Sequence, residues 1–371
     1  MRPTWIEVDL DAIRHNVSTV VQIVTPATVC AVVKADAYGH GDVPVAVAAL
    51  TAGADCLAVA IPSEGVRLRE AGIEAPILLL AEPSLDDIEL LATWRLTPTV
   101  YQRSFADALI ASGADEPVPI HVKLDTGMHR VGAPFARAIE LAALASDHPA
   151  LALGGVWTHL AVAEDDAEFT ARQVERFAGF LAELEVDGIT PGVRHCANTA
   201  GALAHPSARF DMVRLGLGMY GMRPAPSIAP DLDLRPAMRL VSHVSYLRRF
   251  KAGTRLSYGR RRPLPHASTV ATVPVGYADG VARRLSSVGG EVLIRGQRFP
   301  FAGTVTMDQI VVDVGDAPVE VGDEVVLLGR QGDAVINAEE WARRLDTINY
   351  EIVCGFGPRV PRRYGEITGH G

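Results

Sequence analysis

Residues 29–61 read VCAVVKADAYGHGDVPVAVAALTAGADCLAVAI. Two short apolar runs, VCAVV and CLAVAI, flank a helical segment, VPVAVAALTAG, that ends on glycine as helix C-termini often do. Apolar runs of this length joined by a helical crossover predict parallel strands in a sheet buried on both faces. Lys34 stands where the first run ends, just before a glycine-bounded turn. An ammonium is costly to bury, so a lysine at the mouth of a buried strand calls for an explanation.

The same unit recurs through the first two-thirds of the chain. Candidate strands fall at 29–35, 56–61, 76–82, 97–101, 119–125, 153–160, 193–199 and 211–216, with helical segments at 43–53, 62–72, 85–94, 104–113, 134–146 and 167–185. Eight such strands are the number that closes a (β/α)8 barrel. An open doubly wound sheet is the alternative, but no GxGxxG turn follows the first strand. Beyond about residue 230 the texture changes. A Pro-rich stretch at 224–236 leads into extended patterns at 238–250, 268–276, 291–296, 309–315 and 323–329, interrupted by one helix at 337–345 that Asn337 would cap. The expected fold is α/β: an N-terminal (β/α)8 TIM-type barrel over 11–235 and a C-terminal, mostly antiparallel β domain over 236–371, which residues 1–10 join as a strand.

Composition narrows the function classes. Of 371 residues 48% are hydrophobic, enough for a large core, and the formal charge is −9. The longest basic run is Arg260–Arg262, so no nucleic-acid partner is expected. No apolar run approaches the roughly 20 residues that cross a bilayer, and the N-terminal stretch is charged throughout, which predicts neither a membrane span nor a secretory signal. Cys30, Cys56, Cys196 and Cys354 show no CxxC spacing. That predicts a reducing, cytoplasmic compartment and no structural metal.

Catalytic side chains of barrels sit at the C-terminal ends of strands. Placed there are Lys34, then Lys123, Asp125 and Arg130, then His159, then Asn198 and Thr199, then Arg214. A lysine at such a rim can pair with an acid, hold a phosphate or act as a nucleophile, the last requiring a neutral amine that desolvation favours. The residue types leave these three roles unranked.

The string AVVKADAYGHG (31–41) resembles the cofactor-lysine motif of the alanine racemases, enzymes of the type III pyridoxal-phosphate fold. LDTGMHRVG (124–132), THLA (158–161), HCANTAGAL (195–203), VRLGLGMYG (213–221), RLSYG (255–259), VPVGYADG (273–280), TMDQ (306–309) and TINYEIVC (347–354) follow in that family's order. The resemblance covers essentially the whole chain. It implies an isomerase that interconverts L-alanine and D-alanine by two bases and supplies D-alanine for peptidoglycan. A broader-specificity racemase or a decarboxylase of the same fold is the alternative, and a non-catalytic pyridoxal-phosphate barrel protein would lack the β domain.

Residue by residue, the resemblance implies that Lys34 binds pyridoxal phosphate covalently and serves as base on one face of the substrate. Tyr258 would be the base on the other face, reaching in from the second subunit of a homodimer, with Arg214 and His159 as nearby cations that ease its ionisation. Arg214 would donate to the cofactor's ring nitrogen, and His159 would hold Arg214; a structural pairing of Arg214 with Asp211 is the competing reading. Tyr38, Asn198, Thr199, Gly216, Leu217 and Tyr350 would hold the phosphate end, Gly216 and Leu217 through backbone N–H groups. Thr199 stands where the family usually has serine. Arg130 would meet the cofactor's phenolic oxygen and the substrate carboxylate, oriented by a carbamylated Lys123, unless Lys123 simply pairs with Asp125. Met307 and Asp308 would line the substrate carboxylate and Tyr277 the entrance. Thr306 departs from the family's usual Cys or Ser before Met-Asp.

Overall fold

The computed structural model describes residues 2–114 and 116–365, so Met1 and residues 366–371 of the expected β domain lie outside it. The chain divides into two compact units. One holds residues 12–37 and 42–235; the other holds the described residues up to Asp11, Tyr38–Gly41, and those from Pro236 onward.

The first unit is a nearly closed barrel of eight parallel strands: β1 (Thr28–Val32), β2 (Cys56–Val59), β3 (Ile77–Leu79), β4 (Thr99–Val100), β5 (Val118–Lys123), β6 (Leu151–Trp157), β7 (Val193–His195) and β8 (Met212–Leu215). Hydrogen bonding runs β3-β2-β1-β8-β7-β6-β5-β4, and a parallel bridge from Leu78 to Thr97 links the two ends. All eight expected strands are present, each shorter than its apolar run. The difference matters at Lys34. β1 stops at Val32, and Lys34 opens the turn Lys34–Gly39 instead of closing a strand. Register sets the level of the interior side chains: Cys30 lies beside Arg214, Lys123 beside Trp157, and Trp157 beside His195.

The second unit is mostly antiparallel. One sheet runs Gln297–Pro300, Glu291–Ile294, Glu324–Gln331, Met238–His243, Trp5–Asp9, Arg362–Gly365, and a second runs Tyr246–Phe250, Ser268–Val273, Ile310–Gly315. The extended pattern at 238–250 is therefore two strands, not one. The chain changes sheets at Val244–Ser245, where the Val244 N–H donates to Asp323 O and the Ser245 N–H to Thr272 O. Asn337 caps the helix Ala338–Leu345 by accepting from the Glu340 N–H. A second helix, Asn349–Cys354, was not expected; its Ile-Asn-Tyr-Glu-Ile-Val run has strand-like composition, and Asn349 anchors it by donating to Glu339. No helix among the described residues is long and apolar enough to cross a membrane.

In the barrel unit, Asn16 is wholly buried on the helix Leu10–Val24. Its Nδ2 donates to Met219 O and Arg235 O, and its Oδ1 accepts the Arg235 N–H at 2.8 Å. Asn16→Ala strands all three backbone groups without water. It should cost about 2–4 kcal/mol of unfolding free energy in a urea titration; a loss below roughly 0.5 kcal/mol would mean that water replaces the amide.

Candidate active site

The turn that carries Lys34 is left-handed. Ala35, Asp36, Ala37 and Tyr38 have φ of 52°, 54°, 51° and 53°. Each non-glycine residue there costs roughly 1–2 kcal/mol against the right-handed form, so the turn persists only because its surroundings fix it. Buried Glu64 is one fixing group. Its Oε1 accepts the Ala35 N–H at 2.6 Å, and its Oε2 accepts the Ala60 N–H at 2.8 Å. The Ala37 N–H donates to Val33 O.

Arg214 lies inside the barrel, 2% exposed. Nη1 donates to His195 Nδ1 at 2.9 Å; Nη2 donates to Thr158 O and Cys196 O, both at 2.9 Å, and to His159 Nδ1 at 3.2 Å. No carboxylate pairs with it among the described residues. Asp211 is taken by Arg194, so the competing Arg214–Asp211 reading is wrong. Negative charge comes instead from the indole face of Trp157, 4.5 Å from the guanidinium carbon. The same ring lies 4.1 Å from Lys123 Nζ and stacks on His195 at 5.5 Å. Thr99 Oγ1 accepts the Trp157 N–H and fixes the ring. His195 Nε2 in turn lies 2.9 Å from His121 Nδ1. Because Arg214 only donates, His195 Nδ1 must accept; the neutral ring then carries its proton on Nε2 and donates it to His121.

Burial first, and this uncompensated charge second, set the protonation of its neighbours. Burial pulls Arg214 down to about 10, which leaves it a cation at neutral pH. Burial, then Arg214 and Arg130, lower Lys123 to about 7. Lys123 does not pair with Asp125, which accepts instead from the N–H groups of Gly127 and His129 and from the His129 ring. Burial and Arg214 hold His159 and His195 well below the usual histidine range and push His121 down to about 4. His159 is therefore neutral and cannot serve as the cation expected beside a tyrosine base; it is an acceptor for Arg214. Arg130 is exposed, close enough to act on Lys123 and His159 through its charge.

Further along the barrel, Asn198 caps the helix Thr199–Ala204 by accepting from the Gly201 N–H. The Thr199 hydroxyl accepts the Gly216 N–H at 3.1 Å, so that N–H is already spent within the protein. The buried Leu217 N–H has no acceptor among the described residues, nor has Arg214 Nε. A ligand offering a ring-nitrogen acceptor and anionic oxygens fits these two unspent donors and this cationic surface. The residues present are thus compatible with pyridoxal phosphate.

In the β unit, Tyr38 is buried with its ring 5.8 Å from that of Tyr350, and burial followed by the Tyr350 charge raises its phenol well above the usual range. Tyr258 is 72% exposed, between Ser257 (φ 56°) and Gly259 (φ 73°), with its carbonyl accepting from the Thr304 hydroxyl. Tyr277 and Met307 are exposed on adjoining loops, and Asp308 pairs with Arg359. Trp157, His121, His195 and Glu64 were not foreseen. His121 and Lys123 sit two apart on one strand, so strand alternation alone could have put them on the same interior face.

Two family models divide the chain between them: alanine racemase, N-terminal domain, over residues 8–224, and alanine racemase, C-terminal domain, over 237–364. The chain belongs to the alanine racemase family. It is 43% identical to the alanine racemase of Nostoc sp., covering 96% of this chain and 95% of that one, and 47% identical to that of Symbiobacterium thermophilum, covering 99% and 98%. Among solved structures, the alanine racemase of Bacillus anthracis with bound L-Ala-P superposes with a TM-score of 0.92 at 39% identity, over 98% of this chain and 95% of that one.

The neutral histidines make stability fall in acid. Unfolded, each takes a proton near pH ~6.5, whereas folded His121 waits until about 4. Their contribution is complete above pH ~6.5 and is lost as the pH falls from there toward the folded value. Urea unfolding between about pH 7.5 and 4.5 should show this slope, and His121→Asn should reduce it by about one proton, roughly 1.4 kcal/mol per pH unit. An unchanged slope would show that His121 is hydrated in the folded state.

Proposed function

We propose that the chain interconverts L- and D-alanine with pyridoxal phosphate held on Lys34, as a cytoplasmic homodimer whose sites are composite, and that its product feeds peptidoglycan synthesis. Racemisation, an isomerisation, is the reaction of its family. Arg214 carries the assignment of roles: a buried cation without a counter-ion, its Nη groups all engaged and its Nε turned to no protein acceptor.

Bound pyridoxal phosphate supplies an electron sink that acidifies the α-proton of an attached amino acid. Lys34 would hold it, with Arg214 donating to the ring nitrogen. Tyr38, Tyr350, Asn198, Thr199 and the backbone at Gly216 and Leu217 would surround the phosphate, Leu217 with the N–H that is still available. Since Arg214 keeps its own proton at neutral pH, it would donate to the ring nitrogen without protonating it. Trp157, His195 and His159 serve this step by holding the guanidinium in one orientation.

Inversion needs proton removal on one face of the α-carbon and return on the other. A single rigid residue reaches one face only, so Lys34 and Tyr258 divide the work. The exposed Tyr258 phenol, on a turn bent by three positive-φ residues, Ser257, Gly259 and Arg260, suits delivery to a second copy of the chain. Arg130 and the Met307 N–H would receive the substrate carboxylate, with Asp308 lining the place beside them, and Tyr277 would border the entrance. With Lys123 lowered to about 7, a large fraction of its amine is unprotonated at neutral pH, the form that takes up carbon dioxide, and a carbamate there would orient Arg130. The thiols of Cys30, Cys56 and Cys196, joined in no disulfide among the described residues, accord with a reducing compartment.

Lys34→Ala and Tyr258→Ala should each lower racemisation by about 10²–10⁴-fold. They should do so through different enantiomers, seen as selective loss of α-deuterium exchange with L- or D-alanine. Borohydride reduction of the holoenzyme should fix the cofactor on the Lys34 peptide. Full activity of Tyr258→Ala in both directions would end the two-base reading, and a label on another lysine would end the Lys34 assignment.

A further inference from the structure

Asp279 is a wholly buried carboxylate that the proposed chemistry does not use. Arg2 grips it with both terminal nitrogens, at 2.9 and 2.5 Å, and the Gly276 N–H donates to it at 2.9 Å. Arg359 Nε lies 3.7 Å away, and Nη2 of the same arginine donates to Asp308 Oδ1 at 2.7 Å. Arg359 thus bridges a fixed carboxylate inside the β unit to an exposed one on the 306–309 loop. That loop is braced independently. The Tyr277 N–H donates to Thr306 O and the Ala278 N–H to Met307 O, while the Thr306 hydroxyl donates to Gln309 O. The approach at Gly276 is so close that a Cβ would meet Thr306 O at 2.3 Å, so only glycine fits.

Beside Asp308, the Met307 N–H has no acceptor among the described residues. An amino-acid carboxylate drawn to that N–H arrives next to an aspartate, and two like charges in contact disfavour binding. The arginine removes that conflict. Resting on the reading that the 306–309 loop receives the substrate carboxylate, we propose that Arg359, anchored on Asp279, is a specificity-determining positioning residue. It neutralises Asp308 and turns it aside, so that the Met307 N–H donates to the substrate carboxylate. The same pairing raises the arginine's own affinity for its proton, through Asp308 first.

The holoenzyme tests this with Arg359→Met, Arg359→Lys, Asp308→Asn and the double variant Arg359→Met/Asp308→Asn. Arg359→Met should raise KM for both alanine enantiomers about five- to tenfold with kcat within about twofold, an effect that added salt shrinks. Arg359→Lys should recover part of the loss. Propionate, a bare carboxylate, should inhibit Arg359→Met more weakly than the parent enzyme, whereas isopropylamine should not distinguish them. In the double variant KM should return to within about twofold of Asp308→Asn alone, because the charge to be masked is gone. If Asp308→Asn moves KM but Arg359→Met does not, or if the Arg359→Met loss persists undiminished in the double variant, the inference falls while the loop keeps its role. If no variant moves KM or propionate inhibition, the reading of the 306–309 loop falls and takes the inference with it.

Discussion

The barrel interior is organised by a cation with no anion beside it. A guanidinium buried to the extent of Arg214 would ordinarily be paired with a carboxylate. Here its charge is spread over carbonyl oxygens at Thr158 and Cys196, the nitrogens of two neutral histidines and the face of Trp157. A carboxylate would have satisfied the same donors, but it would have cancelled the field. Burial lowers Lys123, His159, His195 and His121, and the uncancelled field of Arg214 lowers all four further. The histidines are acceptors because Arg214 is a cation, and they hold Arg214 still because they are acceptors. Replacing any one of them with a residue that titrates normally would disturb orientation and charge at once.

The second constraint is backbone geometry at Lys34. Four successive left-handed residues are an expensive way to leave a strand, and a right-handed helix would have been the default. The turn sends the chain from Val33 through Lys34 to Tyr38, which packs with Tyr350 in the β unit. Glu64 binds the Ala35 N–H of the turn and the Ala60 N–H just past β2 with one carboxylate, so the backbone at Lys34 is coupled to the neighbouring strand. Strain held this way favours a single backbone path through Lys34 before any ligand arrives.

Periodicity made the barrel legible because each strand is a short apolar run followed by a helix that ends on a turn residue. Strand ends were less legible, since an apolar run continues past the last ladder hydrogen bond, and so Lys34 reads as a strand residue when it begins a turn. The motifs put Lys34, Arg214, His159 and Thr199 at the barrel's rim. They said nothing of what holds Arg214, because Trp157, His195 and His121 look like ordinary residues of apolar strands until the register of β5 to β8 brings them side by side. The error at His159 has the same origin: a histidine's charge depends on burial and on its neighbours, and neither is written locally. In the β unit, Asp279 and Arg359 are 80 positions apart and could only be joined by the fold.

A chain with a formal charge of −9 that gathers Lys34, Lys123, Arg130 and Arg214 in one barrel has arranged a local reversal of its own sign. Apart from Asp125, the charges acting on Lys123 all disfavour its protonation. Such a cluster is relieved by an anion more effectively than by further protein contacts, because an anionic ligand offsets the standing charges of Arg130 and Arg214 while leaving the histidines neutral. A phosphate-bearing cofactor and a carboxylate-bearing substrate both meet that need, and the low dielectric of the barrel wall strengthens the attraction. The β unit faces the opposite problem, a carboxylate beside the proposed site for substrate oxygen, and answers it with a single arginine.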